Sequence, residues 1–450
     1  LGAAAPAGFT LADGPSRVVE RVWLDTFDGR LAAAGLALAY TTQANVHELA
    51  LFENGNATSP AQRQPARMRW PALIGAVPPG PVRDRIAGPV GIRALLARAT
   101  VRATVDEINL LNGDGKTVVR TRLDRGRVLD EPLPPRLALA AVRGYERDAA
   151  RLATALAADP EVGAATQGEW TMLRGDGAGA ARAAVAGLRP DSDATVAVGQ
   201  LLRYQLDTIE ANVAGTVDDV DTEFLHDLRV AVRRTRSTLK LAGDLIPPEV
   251  AERFAAEFRW LGDLTTPMRD LDTLLLGFDE MAAGVIGADP ADLEPLRAYL
   301  GRRRAVERRK LNRGLRSARF VEITRDWRQV LDDLQRPRRS ITAAALARDR
   351  IGRAWRRVVK RGAALGPQSP PEAVHDLRKR CKELRYGLEL FAFACRREPH
   401  QRLVRDLKVL QDRLGEFQDA EVHRDLIRSY GEAMLADGVA TAPTLLAMGE

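Results

Sequence analysis

One tetrad that could do chemistry occurs twice in the chain. His226-Asp227-Leu228-Arg229 returns as His375-Asp376-Leu377-Arg378, an offset of 149 residues. The same offset pairs Arg233 with Lys382, Arg236 with Arg385, Leu239 with Leu388 and Leu241 with Leu390. It also pairs Arg253 with Arg402, Arg259 with Lys408, Asp263 with Asp412 and Asp270 with Asp419, all without a gap. A match of this extent reads as a duplicated helical unit. On a helical wheel His226, Arg229, Arg233 and Arg236 fall within an arc of about 80°. Leu228, Val232, Thr235 and Leu239 fall within about 60° on the opposite side. The second copy repeats the pattern, with His375, Arg378, Lys382 and Arg385 on one stripe and Leu377, Cys381, Leu384 and Leu388 on the other. Each copy therefore predicts a helix with an apolar core face and a focused cationic face.

Arginine keeps its charge at physiological pH and presents a planar fork that fits phosphate oxygens. Several forks on one helix face suit a repeating anion that has no base to read. Like charges on adjacent turns repel by a few tenths of a kcal/mol per pair, so such a stripe calls for acidic partners or an external anion. Asp263 and Asp412 stand four residues after Arg259 and Lys408 and are expected to serve those two; Asp227 and Asp376 point off the stripe. A single charged face is ordinarily just solvated. Duplication favours function, and a third basic helix lies between the copies. There Arg302, Arg309, Arg313 and Arg316 share an arc of about 60°, with Arg303, Arg304, Arg308 and Lys310 widening it. A fourth basic stretch, 348–361, carries Arg353, Arg356, Arg357, Lys360 and Arg361. His226 and His375 head their stripes. They are poor metal ligands, because the adjacent aspartate points elsewhere, and no nucleophile–base pair accompanies them. Donation to phosphate, orientation of an arginine, or simple burial are the readings left.

The elements that must position these residues follow from composition and pattern. The chain has 450 residues and 49.1 kDa, which predicts two or three domains. Its net charge of +7 and pI of about 9.7 speak of anionic partners and not of fold. Aromatics make up 5%, so Ala, Leu and Val must build the cores. Cys381 and Cys395, placed on one helix, would lie about 21 Å apart, too far for a disulfide. Free thiols suit a reducing cytoplasm. No apolar run of membrane-spanning length is visible. The opening residues resemble no signal peptide, and the absence of an initial Met suggests that residues precede them.

Residues 1 to about 135 alternate like strands, notably 17–24 and 117–123, with a hairpin turn at Asn112-Gly113-Asp114-Gly115. Residues 53–65 and 75–91 look like loops, and 136–156 turn helical. A Gly/Ala-rich stretch, 175–187, then separates two halves, with Pro190 and Asp191 at the boundary. From about 194 to 430 the pattern is nearly all helix. Breaks at 247–248, 284–295, Pro337 and 366–371 leave seven or eight helices, the count of two four-helix bundles.

Residues 191–430 resemble the CHAD family, the conserved-histidine α-helical domain, through both His-x-x-Arg-x-x-x-(Arg/Lys)-x-x-Arg helices and the Leu-Gly-Asp…Arg269-Asp270-Leu271-Asp272 segment. The resemblance implies two pseudo-symmetric four-helix bundles whose basic residues line a groove that binds inorganic polyphosphate. It implies association with polyphosphate granules in the cytoplasm. Carried over by position, the site comprises His226, Arg229, Arg233, Arg236, Arg259, His375, Arg378, Lys382, Arg385 and Lys408; Arg302, Arg309, Arg313 and Arg316 join it as the third basic face. Gln418 stands where the first copy has Arg269, and the counterpart of the helix from Arg302 would begin beyond residue 450.

The N-terminal half is similar to a degraded CYTH (triphosphate-tunnel) domain, through 23–28, 30–38 and Val142-Arg143-Gly144-Tyr145, the last resembling a late helix. It lacks the Glu-x-Glu-x-Lys strand that an active tunnel uses to hold metal and phosphate. The basic pair after the Gly-Leu-Ala-Leu run is replaced by Ala39-Tyr40-Thr41, and the remaining carboxylates, Glu107 and Asp124, read as lone surface residues. The expectation is a multidomain chain: an α+β CYTH-like domain (1–174), a linker (175–190) and an all-α CHAD domain (191–450) with repeats at about 194–335 and 340–450. It is expected to bind polyphosphate without catalysis, cofactor, metal or membrane. A triphosphatase, a nucleic-acid binder and a scaffold for an acidic protein stay open as rivals; few aromatics near the stripes speak against base stacking.

Overall fold

The computed structural model describes residues 8–449 apart from 54–59, 166–167, 175–184, 338–340 and 367, and for 174, 371 and 415–423 it describes the backbone alone. Most of the expected Gly/Ala linker and the opening residues thus lie outside the described residues. The chain divides into two compact units, Leu1–Gly177 and Ala178–Glu450.

Among the described residues the first unit holds an antiparallel sheet of eight strands: β1 (Thr10–Asp25), β2 (Leu36–Gln43), β3 (Val46–Glu53), β4 (Gln62–Pro65), β5 (Leu96–Leu111), β6 (Thr117–Val128), β7 (Glu131–Pro132) and β8 (Arg136–Ala141). Their order is β4-β3-β2-β1-β5-β6-β7, with β8 also on β6. Helices α1 (Arg30–Ala33), α2 (Pro81–Val90), α3 (Glu146–Ala157) and α4 (Glu169–Arg174) accompany them. Alternation sends successive side chains to opposite faces. Val22, Leu24, Leu38 and Tyr40 pack under Val82, Ile86 and Val90 of α2, while Val19, Trp23, Ala39 and Val105 pack with Trp170 of α4 on the other face. The Asn112 side chain accepts from the backbone N–H of Asp114 and Lys116, closing the expected hairpin.

Two expectations for this unit are corrected. Residues 75–91 are not all loop: Pro81 occupies the first turn of α2, where its missing N–H costs nothing, and Val82, Ile86 and Val90 line one buried face. Residues 136–156 do not form one helix. Leu137 and Leu139 sit in β8 against β6, and Val142–Tyr145, resembling a late helix in sequence, form the turn before α3. The alternation in 136–141 is strand-like, but its short Ala/Leu run also fits a helix.

Among the described residues the regular elements of the second unit are helices. Its first repeat runs α5 (Ala194–Val217), α6 (Thr222–Ala242), α7 (Pro248–Leu276), α8 (Phe278–Ala283) and α9 (Glu294–Leu315); α10 (Ala318–Asp333) follows. The second repeat runs α11 (Ala343–Ala363), α12 (Pro371–Leu390), α13 (Arg397–Ala436) and α14 (Ala442–Gly449). Among the described residues nine helices begin between 194 and 430, against seven or eight expected, because Gly277 detaches the six-residue α8 from α7. The starts of α5, α6 and α7 recur at α11, α12 and α13 at the offset of the sequence repeat, and α14 falls within one residue of the counterpart of α9. Asp193 and Asp221 cap α5 and α6 with their carboxylates, and Thr342 caps α11.

The first bundle packs α6 against α5 and α7, with α9 across it on the same two helices. Its core gathers Leu202, Leu228, Phe254, Phe258 and Trp327. In the second bundle α11, α12 and α13 pack in series around Val358, Leu377, Cys381 and Leu384. Symmetry is written into one contact. Ala194 N–H donates to Ile341 O at 3.0 Å, and Ala343 N–H donates to Ser192 O at 2.8 Å. Exchanging the repeats turns each bond into the other, so a local twofold axis passes between them. Cys381 is core as expected, but Cys395 lies past the end of α12, after a turn at Ala392–Ala394, and not on the same helix; both are free thiols.

Candidate functional site

The two stripes start from the helices that carry them. On α6, Leu228, Val232, Thr235 and Leu239 are buried, which turns His226, Arg229, Arg233 and Arg236 away from the core. On α12, Leu377, Cys381, Leu384 and Leu388 are buried, with the same consequence for His375, Arg378, Lys382 and Arg385. The twofold packs the two helices directly on each other. Arg233 lies 5.4 Å from the centre of the Tyr386 ring, and Arg385 lies 5.5 Å from the same centre. Arg234 reaches Glu389 at 3.9 Å across the same contact. One aromatic ring thus carries a cation from each repeat, and the two stripes become neighbours. Tyr386 gives no such signal in the sequence, because its counterpart in the first copy is Ser237.

The heads of the stripes differ. His226 is half-buried, and burial, with Arg269 and Arg233 nearby, holds its imidazole below the usual range. His375 is exposed. Arg229 is fixed by α7: one of its nitrogens donates to Gly262 O at 3.1 Å, Thr265 Oγ1 at 2.9 Å and Thr266 Oγ1 at 2.8 Å. These acceptors are neutral, so Arg229 is anchored without losing its charge. Burial lowers its pKa while Asp270 opposes the shift, and burial raises that of Asp270. A Cβ at Gly262 would meet Arg236 at 3.3 Å, so the bare glycine leaves Arg236 room to lie against α7.

Further along α7 and α13, Arg259 and Lys408 are exposed. The expected pairs with Asp263 and Asp412 are not made within 4 Å. An acid placed after its base is the weaker order for such a pair, and both ends are solvated. Among the described residues Arg233 and Arg236 also have no carboxylate within 4 Å. Arg385 has Glu389 at 3.6 Å. The side chains of Gln418 and Asp419 lie outside the described residues.

The third basic helix divides in two. Arg302, Arg309, Arg313 and Arg316 are exposed on the side of α9 opposite its buried Leu296, Leu300, Leu311 and Leu315. Because α9 lies across the bundle from α6, this stripe does not join the α6/α12 face. Arg304, expected to widen it, turns inward instead. It bonds Asp219 at 2.7 and 2.8 Å and Asp272 at 2.6 Å. Asp272 is 1% exposed, and its burial raises its pKa despite Arg304; Asp219 is held down by its bond to Arg304. Arg308 also reaches Asp219, at 3.6 Å. On the fourth stretch Arg353 pairs with Asp349 and Arg361 with Asp376, both on α11 or across to α12.

In the first unit Glu107 and Asp124 are not lone surface residues. Arg17 holds Glu107, while Arg21 holds both Asp124 (2.6 Å) and Glu169. Asp124 is 7% exposed and Glu169 8%; Glu169 also accepts from Trp23 Nε1 at 2.8 Å. Arg21, on β1, reaches Asp124 on β6 across the intervening β5, a pairing that linear spacing does not show. Among the described residues no three His, Cys, Asp or Glu side chains gather as a metal site, and no helix is long and apolar enough to cross a membrane.

Comparison with known proteins bears on the second unit most directly. The CHAD domain from the plant Ricinus communis is 25% identical, with 58% of this chain and 86% of that one covered and a TM-score of 0.49. PptA from Streptomyces chartreusis is 18% identical over 57% of this chain and 92% of that one, with a TM-score of 0.40. An adenylate cyclase candidate from Bacillus halodurans is 16% identical over 35% of this chain and 82% of that one, with a TM-score of 0.27. No curated protein matches. The family model of the CHAD domain matches residues 200–428, about half of the chain and the whole span from α5 into α13 that carries both stripes. The chain belongs to the CHAD domain family.

Proposed function

We propose that the second unit binds inorganic polyphosphate along the joined basic faces of α6 and α12, and that this binding is its function. The observation that carries the reading is the meeting of the two stripes at Tyr386, with Arg233 and Arg236 uncompensated by any described carboxylate. A repeating anion supplies countercharge at Arg233 and Arg236, and Arg229, fixed on Gly262, Thr265 and Thr266, offers a fork already oriented. Each stripe is about 15 Å long from histidine to last arginine. Arg259 and Lys408 extend the cationic field on the adjoining helices, and His375, Arg378, Lys382 and Arg385 complete the second half.

We infer that the chain acts without catalysis, in the cytoplasm, at polyphosphate granules. In the first unit the carboxylates that could seat a metal for triphosphate hydrolysis are engaged by Arg17 and Arg21. The test is calorimetric titration with long-chain polyphosphate at physiological salt, with duplex DNA of equal charge as control. Tight binding to polyphosphate alone is expected. Equal binding to both would reduce the site to a general polyanion sink, and phosphate release from tripolyphosphate with Mg²⁺ would restore the enzyme reading.

A further inference from the structure

The outward face of α9 has the chemistry of the α6/α12 face but not its location. Arg302, Arg309, Arg313 and Arg316 are exposed in one row about 21 Å long. The helix holds two carboxylates, and both are taken: Glu294 by Arg297 and Glu307 by Lys310. Among the described residues no carboxylate lies within 4 Å of the four arginines. Arg309, Arg313 and Arg316 follow one another at helical-turn spacing and repel, while Arg302, two turns before Arg309, lies 5.8 Å from the centre of the Tyr299 ring. The inward arginines of the same helix show the contrast, since Arg304 is matched by Asp219 and Asp272. The row points away from α9's own core face, and α9 and α6 occupy opposite corners of the bundle. A short anion on one face cannot touch the other.

We propose that the outer face of α9 is a second polyphosphate-binding surface, so that one molecule bridges two polyphosphate strands. This rests on the reading of the α6/α12 face given above and adds a consequence to it. A protein with one binding face coats a polyanion; a protein with two faces cross-links it. Cross-linking peaks when protein and polyanion charges are matched and dissolves when either is in excess, because each face is then filled by a different partner or left empty.

The experiment uses the full chain and three variants: Arg309→Glu with Arg313→Glu, Arg233→Glu with Arg385→Glu, and all four together. Circular dichroism first establishes that each is folded; the exposure of Arg309 and Arg313 makes that the expected result for the α9 pair. Light scattering with long-chain polyphosphate is then followed across mixing ratios, alongside affinity by titration. The wild type is expected to scatter with a maximum at charge balance. The α9 variant is expected to bind within a few-fold of wild type and to lose that maximum. The α6/α12 variant is expected to keep a weaker, salt-sensitive binding that the fourfold variant loses. Undiminished scattering by the α9 variant, or no residual binding in the α6/α12 variant, overturns the second surface while leaving the first in place. Failure of the wild type to bind polyphosphate at all overturns both.

Discussion

Arginines paired on the sheet of the first unit and the outward arginines of α6 and α9 in the second meet opposite fates. On the sheet, Arg17 meets Glu107, Arg21 meets Asp124 and Glu169, Arg63 meets Glu48 and Arg125 meets Asp106. On the helices, Arg233, Arg236, Arg309 and Arg313 stand exposed with no described carboxylate in reach. The same residue type closes a structure in one place and leaves a field open in the other. Net positive charge is therefore a poor guide to where an anion binds. What matters is whether the fold brings a carboxylate to the guanidinium: Arg17, Arg63 and Arg125 find theirs diagonally across an adjacent strand, and Arg21 finds Asp124 beyond β5 and Glu169 on α4.

This comparison can be broken at either side. The largest effect is expected where pairing is buried. Arg21→Ala leaves Asp124 and Glu169 uncompensated, and Arg304→Ala does the same to Asp272; each should cost about 3–5 kcal/mol of stability in its own unit. Thermal denaturation checks this, and a change under about 1 kcal/mol would mean that these pairs are no tighter than surface ones. Arg21→Ala should leave polyphosphate affinity unchanged.

A smaller effect is expected from pH. The folded-state pKa of His226 is depressed, so the stability tied to its neutral form is fully present above the ordinary imidazole value of about 6.5 and is lost as pH falls through the depressed value. A bound polyanion reverses the cause by favouring the charged form. Proton NMR titration of the His226 ring should show an upward shift when polyphosphate is added, and an unmoved titration would remove His226 from the site. The smallest effect belongs to Tyr386→Ala. Losing the shared ring frees Arg233 and Arg385 and forfeits about 0.5–1 kcal/mol of cation–π attraction for each, a few-fold loss of affinity readable by calorimetry.

The helical unit was more legible than the sheet for a physical reason. A helix face repeats with a period that can be laid on a wheel, and an internal repeat tests it twice, so the apolar stripes through Leu228 and Leu377 were both placed correctly. The hairpin at Asn112 was legible because its turn chemistry is local. Residues 136–141 were not, since a six-residue Ala/Leu run fits either period and only pairing with β6 decides it. The same limit hid Arg304. On the wheel it belongs to a basic face, yet Asp219 and Asp272 come from other segments and draw it inward. Tyr386 and Gly262 matter through contacts between helices, which no spacing within one helix reveals.

Charge reversal on the joined stripes tests polyphosphate binding most directly. Titration with long-chain polyphosphate would compare wild type, Arg233→Glu with Arg385→Glu, and Arg67→Glu with Arg69→Glu on the first unit, where both arginines are exposed. Losing two charge-assisted contacts at about 1.5–3 kcal/mol each predicts a loss of affinity on the order of 100-fold or more for the helical pair, with a shallower dependence on salt, and little change for the control pair. Equal losses in the two variants would contradict the site, leaving only the net charge of the chain as the source of binding.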